Sequence, residues 1–409
     1  MALIKEYKAP HVSCGGLVYS QITNGYRPDM RLFSFCAAVC IVVLSACADK
    51  TESQTDIAVD AFDAKNVDLD DVVDTWEIIP LQDSILMGEI FQVDMDANYI
   101  LLQDMYQNKI HIYDRAGRYI NTLDKLGKGP GEYTDASVYT YNADRQQIVV
   151  NSGNNGLVLY SVPDCRFIAT IKNYHAYSAL ISLDSTHLLG VISDYIDNKM
   201  TGKFELFDLS TLESQTIDIP FPSLASIVYS ESRVFSPAPE PGQVYYCQPY
   251  SYSEIYKVGI SNVQKVARIE FGAEALPDED WDTDIVPYFR KRVNTGSVHA
   301  LAAKFLIRTD SVCSFWYWCS QDKDDAWEPT YYYAHNQITG KELNIRNLYI
   351  KDLDIKLIPI GISQGQYIAL IEAALVDTSV KTDSPITRMI INEAQDRNSP
   401  LIVCFKLAV

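Results

Sequence analysis

Short apolar segments separated by polar turns fill the chain from Glu89 to its end, and they recur as pairs. In each pair an apolar segment is followed, after a loop, by a second one that ends on an aromatic residue. Segments of this length, bounded by turn residues, predict β-strands. The six pairs are Tyr99–Asp104 with Lys109–Tyr113, Gln147–Val150 with Leu157–Tyr160, His187–Ile192 with Lys203–Phe207, Gln243–Cys247 with Glu254–Tyr256, Val312–Trp318 with Thr330–Tyr333, and Gln366–Ile371 with Leu401–Phe405.

Two more short strands complete each repeat. In the first repeat, Ile90–Val93 precedes the pair, and Arg118–Thr122 follows it after the turn Asp114–Gly117. Repeats of about 40–50 residues with four antiparallel strands are typical of propeller blades. The sequence therefore predicts an all-β fold, a six-bladed β-propeller of four-stranded antiparallel blades, with seven blades as the alternative.

The sixth repeat stops soon after Phe405 and lacks its fourth strand. The segment Trp76–Leu81 precedes the first blade and has the composition of a strand. Pairing it with the sixth repeat would cover an exposed sheet edge. We therefore expect residues 74–409 to form a propeller whose ring is closed by this N-terminal strand.

The beginning of the chain differs from the rest. Met30 and Arg31 precede an apolar run, Leu32–Leu44, that is typical of a secretory signal and too short for a membrane helix of about 20 residues. Leu44-Ser-Ala-Cys47 resembles the bacterial lipobox, which implies lipidation of Cys47; the alternative is an uncleaved core segment. We expect residues 1–29 to be an extension before the true start, 30–46 a lipoprotein signal peptide, and 47–73 an acidic flexible tether.

The composition narrows the possible partners. The 409 residues include 34 Lys and Arg against 53 Asp and Glu, a formal net charge of −19. Nucleic acids and anionic lipids are bound by basic surfaces, so the acidity argues against both. Contact with a membrane is therefore expected through the lipid anchor only.

The cysteines of the body indicate free thiols. Five follow the leader, without a Cys-x-x-Cys pair, and an odd number does not indicate a disulfide framework. Cys313 and Cys319 are six residues apart in one predicted strand, about 20 Å at ~3.3 Å per residue. A disulfide needs Cα atoms within about 7 Å, so this pair cannot form one.

One stretch carries a family resemblance. Lys109-Ile-His-Ile-Tyr-Asp-Arg-Ala-Gly-Arg118, followed by a glycine-rich loop, resembles the six-bladed β-propeller lipoproteins of Bacteroidetes, of the NHL/TolB-like type. The ending Asn398–Lys406 is similar to that family's closing strand. The resemblance implies the fold and a location at the outer membrane, and it implies no reaction. The family loop consists of Gly127, Lys128, Gly129, Pro130, Gly131, Glu132 and Tyr133.

Long insertions are predicted on one rim of the propeller. Because strands alternate in direction, the loops between the second and third strands of each blade share a rim with the connections between blades; we call this the long-loop rim. Long loops are more often functional than short turns. Four aromatic residues there are candidates for stacking on sugars or anchoring a protein, with packing onto the blades as the alternative. They are Trp281, Trp327, Tyr250 and Tyr252.

Three motifs hint at other chemistry and are weak. The family loop lacks the helix and the Gly-Lys-Ser/Thr of a phosphate loop, so its glycines are expected to serve the turn, while Glu132 either supports it or points into the channel. Gly361–Gly365 matches the Gly-x-Ser-x-Gly elbow but falls in a predicted hairpin with no histidine after it. Asp94–Asn98 and Asp278–Asp284 lack the glycine and glutamate of a calcium loop.

These observations favour a binding protein. The leading hypothesis is an outer-membrane-anchored propeller lipoprotein that binds a glycan or another envelope protein through the long-loop rim. The alternatives are a propeller hydrolase or lyase with a site at the channel mouth, where His299 is a candidate, and a structural subunit of a surface complex. The sequence assigns no catalytic residue, metal ligand or cofactor.

Overall fold

The computed structural model describes residues 55–153, 156–172, 175–196, 199–218, 234–247, 254–272, 300–319 and 331–409, with only the backbone of 55, 193–196, 199–201, 218, 300–302 and 318. The N-terminal part of this chain adds strands to blades formed later in the sequence. It contains β1 (Thr55–Ala58), a 3-10 turn (Ala61–Asp63), β2 (Lys65–Asp68), α1 (Leu69–Val72) and β3 (Val73–Pro80).

The first three blades are regular four-stranded antiparallel sheets. Blade 1 contains β4 (Ile90–Met95), β5 (Tyr99–Asp104), β6 (Lys109–Asp114) and β7 (Tyr119–Leu123). Blade 2 contains β8 (Tyr139–Asn142), β9 (Gln147–Asn151), β10 (Leu157–Ser161) and β11 (Phe167–Ile171). Blade 3 contains β12 (Tyr177–Ser182), β13 (His187–Ile196), β14 (Lys199–Asp208) and β15 (Ser214–Asp218).

The last three blades are completed by strands from the N-terminal part. Blade 4 contains β16 (Phe235–Pro237), β17 (Gln243–Cys247), β18 (Glu254–Gly259) and β19 (Val263–Glu270), with β1 outside β19. Blade 5 contains β20 (Ala300–Arg308), β21 (Val312–Cys319), β22 (Tyr331–Asn336) and β23 (Glu342–Ile350), with β2 outside β23 and a short β24 (Ile355–Lys356) after the 3-10 turn Lys351–Leu353. Blade 6 contains β25 (Pro359–Ser363), β26 (Gln366–Ile371), β27 (Leu401–Leu407) and β3, and also carries a 3-10 turn (Ala373–Leu375) and α2 (Pro385–Ala394).

The predicted fold and its closure are confirmed. The chain forms six blades, and β3 pairs antiparallel with β27 as the outermost strand of blade 6, in a register that runs from Leu401 opposite Pro80 to Leu407 opposite Val73. Leu81, just beyond this strand, is fully buried between blades 6 and 1. The edge that the sixth repeat leaves open is thus covered by the start of the domain.

The flexible tether predicted over residues 47–73 is wrong from Thr55 onward. From Thr55 the chain runs along the outer edges of blades 4 and 5, where β1 pairs parallel with β19 and β2 pairs parallel with β23. Ile57, Val59 and Ala61 are buried against the core between these two blades. Their alternation is a strand signal that the acidic residues around them obscure.

Adjacent blades are joined by packed apolar side chains and by hydroxyl groups of the innermost strands. Ser182 N donates to Thr140 Oγ1 between blades 3 and 2 (2.9 Å), and Leu306 N donates to Ser236 Oγ between blades 5 and 4 (2.9 Å). Ser363 Oγ donates to Met95 O between blades 6 and 1 (2.9 Å). These bonds satisfy polar groups that the ring would otherwise bury without partners.

The prediction of buried free thiols is confirmed. All five cysteines of the described chain are buried and none is in a disulfide. Burial raises the pKa of four of them, Cys165, Cys247, Cys313 and Cys404, to about 12. Such thiols are packing residues and poor nucleophiles.

Candidate functional site

The two rims of the propeller differ in the length of their loops. On the rim opposite the long-loop rim, which we call the short-turn rim, the described turns between strands of one blade have two to five residues. On the long-loop rim, residues 372–400 separate β26 from β27 and contain α2. In blade 3, β13 and β14 pair without interruption up to Ile196 opposite Lys199, so long strands extend to this rim.

The insertion of blade 6 is held in a defined place. The side chain of Ser384 caps α2 by accepting from Thr387 N (3.0 Å), and Pro385 occupies the first turn, where it needs no hydrogen-bond donor. Ile386 and Ile390 bury one face of the helix on blade 6. At the end of the insertion, Asn398 N donates to the Asp83 carboxylate (3.0 Å), which binds the insertion to the connection that enters blade 1.

Exposed apolar side chains lie on the long-loop rim of blade 1. Leu86 is 89% exposed and Tyr106 is 74% exposed, and Met105, next to Tyr106 in the chain, is also exposed. Their loops are joined, because Gln107 Nε2 donates to Leu86 O (3.1 Å) and Met105 N donates to Glu89 O (3.0 Å). We call Leu86, Met105 and Tyr106 the blade 1 rim patch.

The family loop has a structural role in the described geometry. The Glu132 carboxylate turns back to accept from Gly129 N (2.7 Å), so it supports the loop and does not reach the channel. Tyr133 is fully buried between blades 1 and 2 and donates to Asn108 O (2.7 Å). Tyr160 OH of blade 2 donates to Gly131 O (2.9 Å). The loop therefore joins the first two blades.

All six innermost strands line one central cavity. Its volume is about 90 Å³. Blades 3 to 6 contribute an almost entirely apolar wall, whereas blades 1 and 2 contribute polar groups. The lining residues are Gln92, Val93, Asp94, Tyr139, Thr140, Leu180, Ile181, Phe235, Pro237, Phe305, Ile360, Gly361 and Ile362.

Asp94 is the charged group of this cavity. Gln92 Nε2 donates to Asp94 Oδ2 (3.0 Å), and the hydroxyl group of Tyr139 faces the same carboxylate from blade 2. Burial raises the pKa of Asp94 above its ordinary value, and the bonds from Tyr139 and Gln92 only partly offset this effect. Burial also raises the pKa of Tyr139 well above its ordinary value, and the nearby carboxylate adds to this shift.

The sequence reasoning missed this site. In the sequence, Asp94 stands out only as part of the acidic run Asp94–Asn98. The structure shows that this run forms a turn, in which Asp96 Oδ1 accepts from Asn98 N (2.7 Å) and Tyr99 N (2.7 Å). The available signal was the spacing of Gln92 and Asp94, which places two polar side chains on one face of an innermost strand.

The structure explains the other sequence motifs that lie within the described residues. Gly361–Gly365 forms the hairpin between β25 and β26, and Ser363 donates to a main-chain carbonyl, so it is not an exposed nucleophile. In the described ranges no group of three or more His, Cys, Asp or Glu side chains is placed to hold a metal ion. Within the same ranges no helix is long and apolar enough to cross a bilayer.

Several candidates from the sequence lie outside the described residues. These are the lipidation residue and the predicted binding aromatics, together with the channel histidine and the second acidic run: Cys47, Trp281, Trp327, Tyr250, Tyr252, His299 and Asp278–Asp284.

The fold defines the class of this protein: it is a six-bladed β-propeller closed by an N-terminal strand. Residues 53–405 match the model of the family described as "Domain of unknown function (DUF4934)", so the chain belongs to that family. No curated protein matches the chain.

The chain is similar to solved structures from Bacteroides species, and the first of those named here shows the shared fold. A putative exported protein of Bacteroides fragilis is 15% identical over 87% of this chain and 100% of its own, with a TM-score of 0.66. A DUF4221 family member of Bacteroides vulgatus is 12% identical over 82% of this chain and 97% of its own, with a TM-score of 0.47.

Proposed function

We propose that this protein is an exported propeller lipoprotein, anchored at the outer membrane through Cys47, that binds an envelope partner through its long-loop rim. The export signal and the lipobox-like Leu44–Cys47 support the location, as does the similarity in fold to an exported protein of Bacteroides. Both a glycan and a protein are possible partners of the long-loop rim. The exposed side chains of the blade 1 rim patch favour a protein.

The observation that carries the proposal is the blade 1 rim patch beside a structured insertion. Leu86 and Tyr106 are large, mostly exposed side chains on loops that are joined by the main-chain hydrogen bond from Met105 N to Glu89 O. Fixed loops present such side chains without a large loss of entropy on binding. Aliphatic side chains together with one aromatic are typical of protein contacts, whereas sugar sites depend more on aromatic faces.

A photo-cross-linking experiment tests the binding surface. A photoreactive phenylalanine analogue would replace Tyr106 in the producing cells, and a control would carry it at Ile338, which is 80% exposed on the short-turn rim of blade 5. We expect a discrete protein adduct from position 106 and none from position 338. The same adducts from both positions, or none from either, would contradict the rim as the binding surface.

A second arm distinguishes a glycan from a protein. Thermal melting of the purified protein against a glycan panel would reveal a glycan ligand, since a ligand at about 100 times its Kd adds roughly 2.7 kcal/mol to the free energy of unfolding. A shift that Tyr106→Ala abolishes would assign the rim to a glycan. The membrane anchor is tested separately: Cys47→Ser should release the protein from the membrane fraction and abolish acyl labelling.

A further inference from the structure

The central cavity has chemistry of its own, which does not depend on the rim. Its lining includes one carboxylate, Asp94, and the inner strands of blades 3 to 6 face it with aliphatic and aromatic groups. Among the described residues, no cationic side chain lines the cavity and none forms an ion pair with Asp94. A partly buried carboxylate without a cation is costly, which makes the cavity favourable for a positive charge.

The innermost strand of blade 5, β20, carries two cationic side chains, and both contact aromatic rings of the blades. Lys304 of β20 lies with its Nζ 5.9 Å from the centre of the Trp316 ring, within blade 5. Arg308 of the same strand lies 5.9 Å from the centre of the Tyr245 ring, towards blade 4. Both side chains are occupied in the packing of the blades, and neither is part of the cavity wall.

The size of the cavity limits what it can hold. An apolar cavity of about 150 Å³ binds benzene, which has six non-hydrogen atoms, so 90 Å³ corresponds to roughly four such atoms. That space suits a ligand of about four or five non-hydrogen atoms and is too small for a sugar ring. A metal ion is disfavoured by the donor set, since Asp94 is the only carboxylate among the lining residues that the structure describes.

We propose that the central cavity binds a primary ammonium group on a short aliphatic stem, with the charge at Asp94 and the stem against the wall formed by blades 3 to 6. Asp94 accepts from the ammonium group, and Gln92 and Tyr139 hold the carboxylate in place. Ile181, Phe235 and Ile362 contribute to the apolar surface for the stem. A small alkylamine and a lysine side chain share this chemistry.

Calorimetric titration of the purified full-length protein with n-butylammonium chloride tests the proposal, with n-butanol as the neutral analogue of the same length. Burial raises the pKa of Asp94, so a titration at pH 8 favours the carboxylate. We expect saturable binding of butylammonium and none of butanol. Asp94→Asn should weaken binding about tenfold or more, because truncating one partner of a buried charged pair has effects of this size or larger. Absence of saturable binding, or equal binding by Asp94→Asn, would overturn the proposal.

Two further variants separate loss of the site from loss of the fold. Asp144→Asn removes the same charge from an exposed turn of blade 2 and should bind as the unaltered protein does. Ile181→Phe keeps the carboxylate and fills part of the apolar wall, so it should weaken binding while the melting curve stays cooperative; unchanged affinity would contradict the placement of the stem. A titration with N-acetyl-lysine amide distinguishes the two possible ligands. An affinity comparable to that of butylammonium would show that the cavity accepts a lysine side chain, and binding of butylammonium alone would show that it accepts only free amines.

Discussion

At the scale of single residues, close contacts between blades depend on side chains that are small or absent. A Cβ added to Gly117, in the turn between β6 and β7 of blade 1, would lie 2.1 Å from Pro80 O of the closing strand. Gly117 also has a φ of 76°, a conformation that residues other than glycine adopt only at a cost. The turn of blade 1 and the end of β3 therefore approach each other only because this residue is glycine.

We predict that Gly117→Ala lowers the free energy of unfolding more than Gly340→Ala does. Gly340 occupies the corresponding turn of blade 5 with a φ of 70° and has no atom within 4 Å of an added Cβ. The control therefore has only the backbone cost of about 1–2 kcal/mol, whereas Gly117→Ala adds an overpacking cost of about 1–3 kcal/mol. Urea unfolding of the two variants measures the difference, and equal values would show that β3 moves away freely.

Asp94 gives a second prediction, concerning pH. The pKa of Asp94 is higher in the folded protein than its ordinary value near 3.8, so the folded state binds this proton more tightly than the unfolded state. Its contribution to stability is complete below that ordinary value and is lost as pH rises through the folded pKa. Asp94→Asn, which cannot ionise, should therefore melt at a higher temperature than the unaltered protein at pH 7, and the gain should disappear near pH 4. Asp144→Asn should show no such pH-dependent gain.

Single residues also show where sequence reasoning ended. The free thiols could be predicted from the number and spacing of the cysteines. The contact between Asp94 and Tyr139 could not be predicted, because it depends on the packing of blade 1 against blade 2, and no local sequence pattern indicates it. Glu132 was left between two roles, and the hydrogen bond to Gly129 N decides for the structural one.

At the scale of elements, β3 is the strand that completes the ring. Ile79 is 3% exposed in the core between blades 6 and 1, while Glu77 on the same strand faces solvent and pairs with Arg115 (3.0 Å). Because they are two residues apart, the two side chains lie on the same face of β3, one in its buried part and one in its exposed part.

We expect Ile79→Ala to destabilise the protein by about 2–5 kcal/mol, since it leaves a cavity between two blades. Glu77→Ala removes only an exposed ion pair, for which about 0.2–1 kcal/mol is usual. Chemical unfolding of both variants provides the comparison. Similar small losses would mean that β3 is not an integral part of the sixth blade.

The elements were largely predictable because propeller blades repeat a local pattern. The β5 and β6 segments and the closing strand were all visible as apolar runs between turns. By contrast, β1 and β2 were hidden, because each has few apolar residues among acidic ones and pairs in parallel with strands some two hundred residues or more away. The helix α2 carried a readable signal in Ser384, Pro385 and the spacing of Ile386 and Ile390 that the strand repeat overshadowed.

At the scale of the whole molecule, residues 55–80 act as a strap across half of the ring. They add a strand to blade 4, then to blade 5, and then complete blade 6. Besides the residues that pack between blades 4 and 5, Leu69 and Val72 are buried against the core between blades 5 and 6. Domains that close in this way gain stability from contacts between the ends and the middle of the chain.

We predict that a chain starting at Val73, which keeps the closing strand but lacks β1, β2 and α1, has a lower Tm than a chain starting at Thr55. The loss of Ile57, Val59 and Leu69 exposes apolar surface on blades 4 and 5, at roughly 25 cal/mol for each Å². Differential scanning calorimetry measures the shift. Equal melting temperatures would show that β1, β2 and α1 do not stabilise the propeller.

The pairing of β1 with blade 4 has a consequence for the proposed anchor. If Cys47 carries a lipid, the segment up to Thr55 would span at most about 29 Å at ~3.6 Å per residue. A segment continuing to residue 73 would have spanned about 94 Å by the same rule. The propeller would then be confined to a thin layer beside the bilayer, and its partners would have to reside in that layer or be delivered to it.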